Sequence, residues 1–464
     1  MGTTDKSMFD LRKRCEWIDS FSGNEPVFDV AIIGGGITGA GIANILASNG
    51  IKCVLLEKGD FGSGTSSGSS KLIHGGIRYL ANLEVREVRD LLHERNYLLS
   101  HTEIVRPMNF RILVDQYSWK RGTLWLGIFV YNVLSGHVSF PRFVKNGGEM
   151  PVSVSGYFNY MDAFTDDTKM VIYNIVSAVR KGSVCLNYST VKEIAREENL
   201  VRIRFNDEIR HKDSEVKARF VINAGGPWAG KISRMYDPEF SGSLKLSKGI
   251  HIVVSSEKIG IKDSIVLRSH IDGRQMFIIP RGEVTIIGTT DRFVRSPDDF
   301  MVDSEDVEYI LESARRLFPG LSYSDITYSY AGIRPLYGES DDPGSISRGF
   351  VIKTEGNFIN IYGGKLTNFR SVSRRVATIY GKTAGRRMNV RNLPVIDYRR
   401  PELSGKDLYR YERDYECAIF PDDIIVRREA YPFNLKDRGD SVKPLIAEIL
   451  NENSEMVNLR NGPV

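Results

Sequence analysis

Residues 28–33 (FDVAII) form a short apolar, β-rich run, and apolar positions from Ile37 to Ser48 then recur at helical spacing, with Gly34-Gly35-Gly36 breaking the pattern between them. Asn49-Gly50 closes the helical stretch, and a second apolar run, residues 51–57 (IKCVLLE), finishes at Glu57. The pattern predicts a βαβ unit with a right-handed crossover. Stretches beginning at Val184, Phe220 and Asn357 read as returns to the same sheet, so the first domain is expected to be discontinuous. Residues 275–280 and 284–291 flank Arg281-Gly282-Glu283 as a hairpin of an antiparallel sheet. The first 26 residues, polar and punctuated by Pro26, read as an irregular arm. From about Arg399 charge density rises, and residues 409–417 and 443–451 read as surface helices of a small C-terminal appendage.

Composition narrows the class. At 464 residues, 41% apolar and 26% charged, the chain suits two or three packed domains, and neither a disordered nor a collagen-like chain. Four widely separated cysteines, Cys15, Cys53, Cys185 and Cys417, without a C-x-x-C pair, argue against a structural zinc site or a disulfide scaffold and fit a reducing cytosol. No metal is expected. A net charge of +5 is a mild excess, and no basic stripe interleaved with aromatics points to nucleic acid. No apolar leader stands at the N-terminus and Lys6 occupies the position where a myristoylation signal needs Ser or Thr, so a cytoplasmic location is expected. The longest apolar stretch, residues 124–134 (LWLGIFVYNVL), falls short of the roughly 20 residues of a membrane span and reads as a buried helix, with a membrane-dipping surface as the alternative.

Gly34-x-Gly36-x-x-Gly39 follows a strand, opens a helix and is answered by Glu57, the context of a dinucleotide fingerprint. Gly34 serves the tight turn, Gly36 the close approach of pyrophosphate, and Gly39 close helix packing, while the helix N-terminus supplies N–H donors. Glu57 as acceptor for the ribose hydroxyls favours FAD or NAD over NADP. The following segment, residues 62–80, is rich in Gly and Ser and carries His74, Arg78 and Tyr79, groups suited to proton transfer and anion binding.

The runs TSSGSSKLIHGGIRYL, INAGGPWAG, KGIHIVV, IIGTTD, AGIRPLYG, SISRG and YGGKLTNFR occur in that order, and together they resemble the FAD-dependent, quinone-linked glycerol-3-phosphate dehydrogenases over residues 28–378. The resemblance implies an α/β fold: a glutathione-reductase-like FAD-binding Rossmann domain (residues 27–104, 169–235 and 330–395), an antiparallel-sheet substrate domain (105–168 and 236–329) and a short helical C-terminal cap (396–464). It implies oxidation of sn-glycerol 3-phosphate to dihydroxyacetone phosphate, with electrons passed to quinone at a membrane face. FAD contacts are expected from Gly34, Gly36, Ile37, Thr38, Gly39, Glu57 and Lys58, and from Thr65, Ser66, Ser67, Lys71, Leu72, His74, Gly75 and Gly76. Ala224, Gly225, Arg334, Gly364, Lys365, Leu366 and Thr367 are expected to complete the cofactor site.

A phosphate dianion calls for guanidinium groups, and Arg78, Arg334 and Arg348 stand in the family's arginine motifs, with Tyr79 as a further donor. Either His74 or His251 is the expected base, Lys365 is expected to add charge or help the oxyanion, and Arg334 is counted with the catalytic residues. Thr289-Thr290-Asp291 reads either as a pocket wall or as an edge turn. The cap is shorter than is usual in the family, which leaves homodimer formation and acceptor coupling open. Peripheral contact with the inner face of the cell membrane is a further expectation. The same scaffold would also serve another anionic alcohol, a 2-hydroxy acid or an amine, or an inactive flavin-bound sensor.

Overall fold

In the computed structural model, which describes residues 8–21, 26–115, 121–148, 153–242, 244–338, 349–391 and 393–452, the apolar runs become the middle of two large sheets. Strand Val27–Ile33 pairs in parallel with Cys53–Leu56 on one side and Lys212–Asn223 on the other. Val184–Leu186 and Phe358–Gly363 extend the parallel core, Phe350–Glu355 caps one edge antiparallel, and the hairpin of Ser189–Glu197 and Leu200–Asp207 hangs from Lys212–Asn223. Central parallel strands are covered on both faces, which is why they read as unbroken apolar runs. Helix Ile37–Ala47 packs on one face between Asp167–Arg180 and Phe369–Thr383. Gly41 permits that approach, since a Cβ there would stand 2.6 Å from Ser373 Oγ.

The second sheet is mainly antiparallel, in the order Arg292–Val294, Leu244–Ser255, Val284–Gly288, Gln275–Arg281, Ser264–Arg268, Val105–Asp115, Val154–Thr165, Leu72–Ile73. The hairpin around Gly282 forms as the pattern predicts. Two segments cross the expected domain limits. Ile326–Tyr337 pairs with Leu244–Ser255 along its length, so the limit at residue 330 falls inside a strand of the second sheet, and Leu72–Ile73 pairs with Val154–Thr165.

Three expectations are corrected. The N-terminal arm contains helix Leu11–Asp19, whose inward positions Leu11, Cys15 and Ile18 repeat at helical spacing, and whose Arg14 forms a fully buried ion pair with Asp207 at 2.8 Å. The stretch read as a buried helix is Arg121–Leu134, but only Ile128 and Tyr131 are buried in it; Leu126 is 55% exposed. The C-terminal region is no appendage. Helices Gly405–Tyr415 and Lys443–Leu450 do form, but Glu412 in the first of them and Glu416, Asp423 and Arg428 between them are fully buried. Arg427 and Arg428 both bind Asp60, three residues beyond Glu57, and Asp423 accepts from Tyr188 at 2.6 Å. Among the described residues no helix is long and apolar enough to cross a membrane.

Candidate active site

A cavity of about 650 Å³ opens between the two sheets, at the carboxyl ends of the parallel strands. One wall is the first glycine turn. Gly34 adopts φ +109° and donates to Leu56 O at 2.9 Å, and a Cβ on it would stand 2.5 Å from Ala224 O. Gly39 lies behind the turn, where a Cβ would meet Gly34 O at 1.9 Å; its part is packing. Gly36 faces the cavity at the head of helix Ile37–Ala47, whose first N–H, from Ile37, donates to Ser66 Oγ at 3.0 Å. Glu57 follows the second strand. Its two oxygens accept from Gly35 N at 2.6 Å and Gly59 N at 2.9 Å; burial pushes its carboxyl up despite these bonds.

These groups fit a flavin dinucleotide. The bare glycine backbone leaves the volume that pyrophosphate needs, the helix end supplies donors, and Glu57 retains lone pairs for ribose hydroxyls. Lys58, Thr38, Thr65 and Leu72 line the same cavity, as do Ala224 and Gly225 opposite. Farther along, Gly363 and Gly364 at φ +80° and +98° turn the chain so that Lys365, Leu366 and Thr367 reach the cavity, and Thr367 Oγ1 accepts from His74 N at 3.2 Å.

Around Tyr79 and Asp291 cationic side chains gather. Arg334 donates to Asp291 Oδ1 and Thr289 Oγ1, each at 3.1 Å. Burial lowers its pKa; Asp291 opposes this, while Arg78 and Arg274 add to it. Gly249 leaves room for the guanidinium, because a Cβ there would stand 2.3 Å from Nη2. Asp291 is buried and also holds Arg274 at 3.1 Å, so the Thr289-Thr290-Asp291 turn is both wall and counter-ion. Arg78 lines the cavity 5.2 Å from the Tyr79 ring and makes no ion pair among the described residues. Lys365 Nζ pairs with Glu87 at 2.7 Å and sits 4.5 Å over the same ring. His74 faces the cavity with its ring 6.3 Å from Phe277. Gly76, with φ +69°, turns the segment so that Arg78 and Tyr79 follow in a short helical turn.

Other expected residues lie elsewhere. His251 is buried behind the wall, bonded to Ser70 at 2.8 Å and stacked on Tyr330 at 4.8 Å; burial, then Arg334 and Lys71, hold its pKa well below the usual value. Lys71 points away into a buried pair with Asp167 at 2.7 Å, packed 3.7 Å over Phe433. Ser67 turns its hydroxyl back to Gly64 O, and Gly75 faces Tyr131 and Asp162, its N–H donating to both. Arg348 lies outside the described residues. The cavity also takes in Trp228, Asp298, Phe300, Gln275 and Asp162, none of them singled out from sequence; Trp228 alone had a signal, within INAGGPWAG.

The family description "FAD dependent oxidoreductase" matches residues 29–369. The chain belongs to the FAD-dependent oxidoreductase family. This oxidoreductase is 34% identical over 374 residues to the aerobic glycerol-3-phosphate dehydrogenase of Bacillus subtilis, covering 76% of the chain and 66% of that protein. It is 33% identical over 364 residues to the D-erythritol 1-phosphate dehydrogenase of Brucella abortus, covering 75% and 72%. The chain thus spans about two thirds of the length of the first of these relatives. The glycerol-3-phosphate dehydrogenase of Bacillus halodurans, solved with FAD, superposes on this oxidoreductase with a TM-score of 0.76 at 23% identity, covering 98% and 99% of the two chains. Its fold is therefore the one adopted here, and the cofactor of this oxidoreductase is FAD.

Proposed function

We propose that this chain oxidises sn-glycerol 3-phosphate to dihydroxyacetone phosphate. The observation that carries the reading is Arg78, a guanidinium facing the cavity with no acid partner among the described residues, beside Arg334 and Lys365. A cation left without an internal counter-ion at the end of a flavin cavity suits an anionic substrate group, and a phosphate monoester accepts the planar forks of two arginines. Arg78 and Arg334 bind the phosphate, and Tyr79 adds a hydroxyl. His74, the imidazole that lines the cavity, takes the proton of the C2 hydroxyl. Lys365 places positive charge beside the reacting oxygen, and Glu87 holds its ammonium in place. FAD, when bound, supplies the hydride acceptor.

The Brucella relative supports a second reading, oxidation of a longer polyol phosphate in the same site. Anaerobic addition of each compound to the FAD-loaded protein decides between them. sn-Glycerol 3-phosphate is expected to bleach the oxidised flavin band, and faster than D-erythritol 1-phosphate does. Bleaching by the four-carbon compound alone would keep the chemistry and change the substrate; bleaching by neither would exclude both readings.

Quinone as acceptor, reached at a membrane surface, completes the proposal. Leu126, Val133, Val138 and Phe140 are between 44% and 76% exposed on and just after helix Arg121–Leu134, next to the exposed cations Arg142 and Lys145. Apolar side chains flanked by cations suit an anionic bilayer. The protein is expected to float with vesicles containing phosphatidylglycerol at low salt, and Phe140→Ser with Arg142→Ser to remain below; retention of the unsubstituted protein in the soluble fraction would exclude this contact.

A further inference from the structure

Three segments distant in the chain converge on one carboxylate at the mouth of the FAD cavity. Lys58 follows strand Cys53–Leu56, Trp228 follows strand Lys212–Asn223, and Asp298 lies in the loop after strand Arg292–Val294 of the second sheet. Asp298 Oδ1 accepts from Lys58 Nζ at 3.2 Å and from Trp228 Nε1 at 2.8 Å. Lys58 Nζ also sits 3.5 Å from the centre of the Trp228 ring, and Phe300 stacks on that ring with centroids 6.0 Å apart. All four side chains line the cavity.

An isolated exposed ion pair would contribute little, and the Lys58 and Asp298 side chains keep 44% and 66% of their exposure. Here the contacts close a ring: the ammonium lies between an indole face and a carboxylate, and that carboxylate is held by the same indole's N–H. The loop is also fastened from behind. Lys248, 1% exposed on strand Leu244–Ser255, donates to Met301 O at 2.8 Å and pairs with Asp303 at 3.0 Å and Asp299 at 3.2 Å. Ser247, its neighbour on that strand, is in register with Arg334. The strand paired with that of Arg334 thus anchors, through Lys248, a loop that reaches Lys58 and Trp228 of the glycine-turn domain.

Glu57, the expected acceptor for the adenosine ribose, immediately precedes Lys58 in the chain, and both line the cavity. We propose that Lys58, Trp228, Asp298 and Phe300 form a latch, closed over the adenosine half of FAD, through which the second sheet sets how fast the cofactor leaves. The inference rests on FAD as cofactor and is independent of the substrate.

The test follows FAD release from the diluted holoenzyme by the rise in free-flavin fluorescence. Asp298→Asn and Lys58→Met are each expected to speed release by about tenfold, and the double variant to release no faster than the faster single variant by more than about twofold, since both open one ring. Trp228→Phe keeps the ring face and loses the N–H, and is expected to fall between. An Asp298→Asn rate equal to that of the unsubstituted protein would overturn the latch, and so would multiplying effects in the double variant. Thermal unfolding of the FAD-free proteins keeps the result specific: equal midpoints are expected, and a lowered midpoint in the variants would attribute faster release to the fold and overturn the proposal.

Discussion

Arg78→Met is expected to reduce kcat/KM for sn-glycerol 3-phosphate by on the order of 100-fold or more, with FAD content and thermal stability unchanged. Both halves follow from Arg78 having no acid partner among the described residues: substrate phosphate loses a charged fork, and no buried carboxylate is stranded. Arg334→Met makes the contrast. It leaves Asp291, 1% exposed, with one cation fewer, so activity and stability should fall together. Steady-state kinetics combined with thermal unfolding separates the two. An Arg78→Met protein that turns over sn-glycerol 3-phosphate normally would exclude phosphate binding by this residue.

The largest stability effect is expected far from the substrate. Arg428→Met should destabilise the fold by about 3–5 kcal/mol, because the Asp60 side chain, also fully buried, would keep only Arg427 and Asn187 among the described residues. Denaturant unfolding measures this. The double variant Asp60→Leu with Arg428→Met should recover part of the loss, since it removes both charges. Burial pushes the Asp60 carboxyl up, but Arg428 and Arg427 outweigh it and the pKa is lowered; Asp423 beside it is raised, by burial and then by Asp60. A lowered carboxyl contributes stability in full above its unfolded-state pKa, near 3.9, and loses it as pH falls through the folded value. Acid should therefore erase the difference between the unsubstituted protein and Arg428→Met. A difference that persists at low pH would exclude the ion pair as its source.

Local signals carried the sequence reading, and long-range pairing limited it. The turn at Gly34, the helix after it and the position of Glu57 at the end of the second run all lie within one βαβ unit, so spacing alone revealed them. The hairpin around Gly282 was legible for the same reason. Lys71 and His251 have the chemistry of site residues, but Asp167 and Ser70, distant in sequence, decide where they point. Arg14 shows the same limit: polar composition and Pro26 suggested an irregular arm, whereas its partner Asp207 lies on a hairpin of the first sheet. Asp298 had no motif to mark it; it matters only where the second sheet's loop meets Trp228.

The strand order of the first sheet also bears on biosynthesis. Val27–Ile33 emerges from the ribosome long before Phe358–Gly363, two places away in the sheet, and at about 5–20 residues per second the interval is on the order of tens of seconds. During it the nascent sheet has an open edge and the cavity an incomplete wall. Gly364 to Thr367 must follow before the cavity closes, and Arg428 later still before Asp60 is neutralised. Cofactor capture is thus a late event in the life of the polypeptide, and until then the unfinished sheet is a natural client for a chaperone.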